Sequence, residues 1–155
     1  MKQKFRDAYM KVAETFAELS SARRLHVGAI IVKDDRIISI GYNGMPSGWD
    51  NNCEDEIEDV ERAFIEQGGP GMPVRVTKLK TKPEVLHAET NAIAKLARST
   101  ESGNGATIFI THAPCLDCAK LVYQSGINSV YYRNSYRNEK GIQFLETCNI
   151  EVRKI

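Results

Sequence analysis

The chain is short of the features that would place it in several broad classes. No apolar run approaches the roughly 20 residues that a membrane-spanning helix needs. The opening MKQKFRDAYMKVAETFAELS is charged throughout and reads as an amphipathic helix, not an export signal. Charge of one sign is also missing. Twenty-one Lys and Arg against twenty Asp and Glu leave a formal net charge of +1. That balance argues against a general nucleic-acid binder held by phosphate neutralisation. There is one tryptophan, and there are four cysteines. There are no internal repeats and no low-complexity tracts. What remains is an ordinary mixture, 42% hydrophobic and 26% charged over 155 residues, which predicts one soluble domain with a single core.

Residues 5–19 carry Phe5, Tyr9, Val12, Phe16 and Leu19 at helical spacing, so a helix with one buried stripe is expected. The runs VGAIIV (27–32) and RIISIGY (36–42), separated by Lys33, Asp34 and Asp35, predict a β-hairpin. Gly28 there would let another element approach the backbone. Residues 43–48 read as a loop. Residues 50–66 are acidic and are compatible with a short helix turning Ile57, Val60, Phe64 and Ile65 inward. Gly68, Gly69, Pro70 and Gly71 predict a turn, and basic residues 75–82 alternate only weakly. The acidic stretch either pairs with this basic segment or is a solvated face. Residues 48–84 thus read as an inserted loop region in a single domain spanning 1–155, and such insertions tend to carry specificity. Beyond it, helix 87–98, strand 106–111, helix 115–125, strand 129–132, helix 139–147 and strand 150–152 follow in turn. Alternation of this kind predicts an α/β fold, a mixed sheet with helices on its faces.

Two fragments carry chemistry: His87-Ala88-Glu89 and Pro114-Cys115-Leu116-Asp117-Cys118. C-x-x-C in a chain without a predicted export signal points to metal or redox chemistry rather than a structural disulfide, and to a cytoplasmic enzyme. One imidazole and two thiolates give Zn2+ three protein ligands and leave a fourth position open, as catalytic zinc requires. Residues two apart on a helix point about 200° apart. His87 and Glu89 therefore converge only off the helix N-terminus, and Pro114 starts a second helix at the same place. Both helix dipoles would then favour the thiolates. Glu89 is left to move protons rather than bind metal. H-x-E with P-C-x-x-C is the signature of zinc deaminases acting on cytosine or adenine. A redox C-x-x-C pair, or a structural zinc completed by Cys53, Cys148, His26 or His112, is the competing reading. Asp117 reads as a solvated helix-start charge, His26 as a surface residue, and His112 as a strand-end residue facing solvent rather than substrate. Cys148 reads as a small buried hydrophobe. Trp49 fits a cover over a pocket or interface, or core packing at the base of its loop. Arg23 and Arg24, or Arg133 and Arg137, are the candidates for a phosphate clamp.

At these motifs the sequence resembles deoxycytidylate (dCMP) deaminases of the cytidine deaminase-like superfamily. The segments VGAIIV, IGYNGMPSG (40–48), HAETNAI (87–93), PCLDCAK (114–120) and QSGI (124–127) match in order, over most of the chain. The resemblance implies a three-layer α-β-α sandwich with a five-stranded mixed sheet. It also implies hydrolysis of dCMP to dUMP and ammonia, supplying dUMP for dTMP synthesis. It implies a homo-hexamer activated by dCTP and inhibited by dTTP, with Mg2+ accompanying the effector. His87, Cys115 and Cys118 take the zinc-ligand positions and Glu89 that of the proton shuttle. Asn43 and Tyr136 fall at substrate positions, and Gly41, Tyr42, Asn43 and Gly44 in the stretch tied to the allosteric nucleotide; Ala113 and Arg24 are further substrate-binding candidates. Some relatives hold a second, structural zinc. Here Cys53 stands without the further Cys and His ligands, so one zinc per chain is expected. The rival readings are a deaminase of dCTP or free cytidine, a tRNA or single-strand deaminase needing a basic surface, and a non-catalytic zinc-stabilised binding module.

Overall fold

A computed structural model of the chain describes residues 1–62, 73–136 and 138–155. Helix α1 (Gln3–Ala17) leads into strands β1 (Gly28–Lys33) and β2 (Arg36–Tyr42), then β3 (Glu54–Arg62) and β4 (Pro73–Thr81). Helix α2 (Ala88–Ala97), β5 (Thr107–His112), α3 (Leu116–Gln124), β6 (Ser129–Asn134), α4 (Lys140–Thr147) and β7 (Glu151–Lys154) complete the order. Five strands form one sheet in the order β2-β1-β5-β6-β7. The β1–β2 and β1–β5 pairs are antiparallel, and β5–β6 and β6–β7 are parallel.

Side chains alternate across the sheet, and each face meets its own helical layer. Ala29, Ile31, Ile108, Ile110 and Val130 pack with Ala88, Ala92, Leu96, Ala119, Val122 and Leu145 from α2, α3 and α4. Ile30, Val32, Phe109 and Tyr131 pack on the other face against Met10 and Ala13 of α1. The expected three-layer α/β architecture is therefore present. Phe109 is fully buried between Tyr9 and Tyr131, with ring centroids 5.4 and 5.1 Å away. The close approach expected at Gly28 is made by α1: a Cβ there would lie 2.0 Å from the Ala13 carbonyl oxygen.

The inserted region departs from expectation. Glu54–Arg62 is a strand, not a helix, and pairs antiparallel with Pro73–Thr81 as a separate two-stranded sheet. A helix would have stacked like charges such as Glu54 on Glu58 and Asp55 on Asp59 at i,i+4, which is unfavourable. The strand sets them against a basic partner instead. Lys78 Nζ lies 2.6 Å from Asp59 and 2.7 Å from Glu61, and Lys82 lies 3.8 Å from Asp55. Ile57 and Val60, expected inward, are 40% and 60% exposed. Phe64, Ile65 and the glycine-rich turn at 68–71 lie outside the described residues. No described helix is long and apolar enough to cross a membrane.

Candidate active site

Two strand-to-helix junctions build the site. His87 precedes α2 with extended backbone (φ −75°, ψ 154°), and Cys115 precedes α3 in the same way (φ −68°, ψ 169°). Extended backbone at both junctions aims the two side chains off the helix ends, while Glu89 and Cys118 project from the first turns. Gly141 seats α4 over the second junction: a Cβ there would lie 2.1 Å from the Pro114 carbonyl oxygen. Asn91 Nδ2 donates to the Tyr42 carbonyl at 2.7 Å, and Ser39 Oγ to the Ala92 carbonyl at 2.6 Å, so α2 is tied to β2 behind the site.

His87, Cys115 and Cys118 place their ligand atoms within 4.8 Å of one another. His87 Nδ1 lies 3.7 Å from Cys115 Sγ and 3.3 Å from Cys118 Sγ. Tetrahedral zinc with ordinary Zn–N and Zn–S bonds separates such atoms by about 3.6 Å, so the donor set and its spacing fit zinc through Nδ1 and two sulfurs. The Cys118 thiol, aimed at Cys115 Sγ, and the His87 ring bring the Cys115 pKa down to about 4, whereas this same pairing and burial push Cys118 up. The hydrogen bond to Cys115 raises the His87 pKa. One thiolate thus stands ready for a cation, and metal binding would displace the proton on the other. Glu89 is 4% exposed, and burial lifts its carboxyl to about 7, against smaller opposing pulls from its own backbone N–H and from His87. A carboxyl that titrates near neutrality is suited to exchanging protons.

The cluster opens into a cleft of about 480 Å³ where the carboxyl ends of parallel strands β5 and β6 meet the approach to β1. Ligands in open α/β sheets bind at such carboxyl ends. A family model described as the cytidine and deoxycytidylate deaminase zinc-binding region matches residues 3–134. The chain belongs to that deaminase family. A deoxycytidylate deaminase of Enterobacteria phage T4 is 34% identical over 165 residues, spanning 92% of this chain and 86% of the phage protein. The deoxycytidylate deaminase of Homo sapiens is 36% identical over 129 residues, 80% of this chain and 61% of the human protein. The crystal structure of dCMP deaminase from the cyanophage S-TIM5, in complex with dCMP and dUMP, superposes with a TM-score of 0.82. It is 42% identical and covers 100% of this chain and 99% of that one.

Within the deaminase cleft, the structure gathers some of the sequence-predicted residues and disperses others. Arg24, Asn43, Ala113 and Tyr136 all line it. The Asn43 amide is also structural: Oδ1 accepts from the Val27 N–H at 2.8 Å, and Nδ2 donates to the Leu25 carbonyl at 2.8 Å. Gly41 sits under α2, where a Cβ would lie 2.1 Å from the Ala88 carbonyl oxygen. Gly44 exchanges two backbone hydrogen bonds with Leu86. Tyr42 lies beneath Lys95, whose ammonium is 5.6 Å from the ring centroid. His112 corrects its reading as a solvent-facing residue, because it is half-buried and lines the cleft; the desolvation lowers its pKa. Arg133 is held by Glu14 at 3.0 Å on the α1 side and is not part of the cleft lining. Arg137 lies outside the described residues. Trp49 is 58% exposed and takes no part in the core or the cleft, and Cys148 is only half-buried. Asp117 points to solvent beside Lys120, as expected. Cys53 is fully buried, with Sγ 3.6 Å from Ser21 Oγ, among Ala22 and Val85. Sequence reading missed Glu54 and Thr81 as cleft residues. Glu54 is one of many acids in its stretch of sequence, and nothing local marks Thr81.

Proposed function

We propose that the chain is a zinc-dependent dCMP deaminase that hydrolyses dCMP to dUMP and ammonia. The observation that carries this reading is the buried, near-neutral Glu89 carboxyl beside a three-ligand cluster at the floor of a nucleotide-sized cleft. The relatives that act on dCMP support the substrate. His87, Cys115 and Cys118 hold one zinc ion. Bound there, zinc supplies the Lewis acidity that makes water a nucleophile near neutral pH. Glu89 takes a proton from the attacking water and delivers it to the ring nitrogen next to the attacked carbon. It then takes the remaining proton from the hydroxyl now on that carbon and delivers it to the amino group, which leaves as ammonia as the carbonyl forms, so one carboxylate serves the whole exchange. Asn43 and Ala113 border the base and sugar, Tyr136 lies at the mouth, and Arg24 faces the phosphate.

The same reading extends to regulation and assembly. The single 1–155 domain works in the cytoplasm as a homo-hexamer and supplies dUMP for dTMP synthesis. dCTP with Mg2+ activates it and dTTP inhibits it through the stretch containing Gly41, Tyr42, Asn43 and Gly44. Neither nucleic acid nor membrane is a partner. Support for these points comes from the motif resemblance and from the near-zero net charge. Turnover at low dCMP should rise with dCTP and fall with dTTP; flat rates with both would remove the regulatory part.

Glu89→Gln tests the chemical core. The variant should keep one zinc per chain by metal analysis and lose deamination by at least about a hundredfold, the scale of general acid–base catalysis. Deamination at the wild-type rate would refute the assignment of Glu89, and two zinc ions per chain would refute the single site.

A further inference from the structure

Among the described residues, the β3–β4 hairpin lines the cleft with its base alone, where Glu54 and Thr81 are cross-strand partners. Both grip Arg24, and Glu54 holds Arg23 as well. The Glu54 carboxylate, 1% exposed, accepts the Arg23 N–H at 3.1 and 3.0 Å and the Arg24 N–H at 3.2 Å. Thr81 Oγ1 accepts Nη1 of the Arg24 guanidinium at 2.8 Å. One end of Arg24 is thus fixed by its peptide and the other by its head. These are charge-assisted contacts, the stronger class of hydrogen bond.

The two neighbouring arginines divide their work. Arg23 is spent on carboxylates, with Glu56 at 2.9 Å and Glu54 at 3.8 Å. Among the described residues no carboxylate forms an ion pair with Arg24, and its Thr81 partner is neutral. Thr81 therefore orients the Arg24 charge without cancelling it. Arg24, Ser135 and Tyr136 all line the cleft. A fixed, uncancelled guanidinium at a cleft wall is a site for a phosphoryl group, which it can meet with two donors in a fixed fork.

We propose that the Glu54–Thr81 pair is a positioning clip that presents Arg24 to the phosphate of a nucleoside monophosphate. The hairpin base thereby sets the preference for nucleotide over nucleoside. This rests on the reading of the cleft as a dCMP deaminase site. Neither Glu54 nor Thr81 touches the reacting atoms; both act through Arg24.

The test is the ratio of kcat/KM for dCMP to kcat/KM for deoxycytidine, measured on zinc-loaded wild type, Thr81→Val, Thr81→Ser and Glu54→Gln. Thr81→Val should lower the ratio about tenfold, the scale of one lost hydrogen bond to a charged group, with the change carried by KM for dCMP. Thr81→Ser, which keeps the acceptor, should restore it. Glu54→Gln should lower the ratio further, and Thr81→Val answers the question alone should the buried Gln impair folding. Equal losses on both substrates, or an unchanged ratio in Thr81→Val, overturn the clip while leaving the deaminase reading intact. A wild type that shows no preference for dCMP overturns the substrate reading itself, and the clip with it.

Discussion

Glu89 combines two properties that conflict for stability and agree for function. Its burial disfavours the ionised carboxyl, and the pKa rises from 4.5 to about 7. In the metal-free protein, below about pH 4.5 the group is neutral in both folded and unfolded states. Between there and pH 7 the folded state keeps a proton that the unfolded chain has already released. A group with a raised folded pKa stabilises most at low pH, and its contribution is lost as pH rises through the folded value. Metal-free Glu89→Gln is therefore predicted to be more stable than metal-free wild type at about pH 8, by on the order of 3 kcal/mol. Its advantage should shrink as pH falls through that window. Urea titrations of the two chelator-treated proteins check this, and a pH-independent difference would contradict the buried-carboxyl account. The cluster itself was legible at this scale because its spacings are local: x between His87 and Glu89, and x-x between Cys115 and Cys118. His112 was not, since its half-burial in the cleft lining appears only in the folded chain.

At the scale of elements, the site depends on how closely α2 sits on β2. Gly41 has no room for a methyl group beneath Ala88, whose carbonyl oxygen would lie 2.1 Å away. Gly41→Ala must push α2 outward and carry His87 and Glu89 with it. Overpacking of this kind costs roughly 2–3 kcal/mol, so Tm should drop by roughly 5–10 °C. Zinc should also be held more weakly in a competitive chelator titration. An unshifted Tm would show that the helix yields without cost. Helices and strands with one buried stripe were readable because period 3.6 or 2 marks them. The β3 strand was not. Its stabilising partners are Lys78 of β4 and Lys82 just beyond it, and the base of the hairpin is joined to residues 31 and 57 positions away in the chain. No local pattern reports contacts at that range.

For the whole molecule, the layered architecture followed from alternating helices and strands, and β1 announced itself as interior, since Gly28, Ala29, Ile30, Ile31 and Val32 are all buried. The strand order could not be read the same way, because the alternation is equally compatible with other placements of β5 and β6. The fold brings the carboxyl ends of those two strands, the α2 and α3 N-termini and the hairpin base around one cleft, and the substrate reading depends on that convergence. Arg24 faces phosphate in this account, and losing charge-assisted contacts of that kind costs about tenfold or more in kcat/KM. The direct measurement is kcat/KM of the zinc-loaded enzyme on dCMP, CMP, deoxycytidine and dCTP side by side. Turnover of dCMP should exceed that of deoxycytidine and dCTP by at least about tenfold. Equal or better turnover of deoxycytidine or dCTP would contradict it.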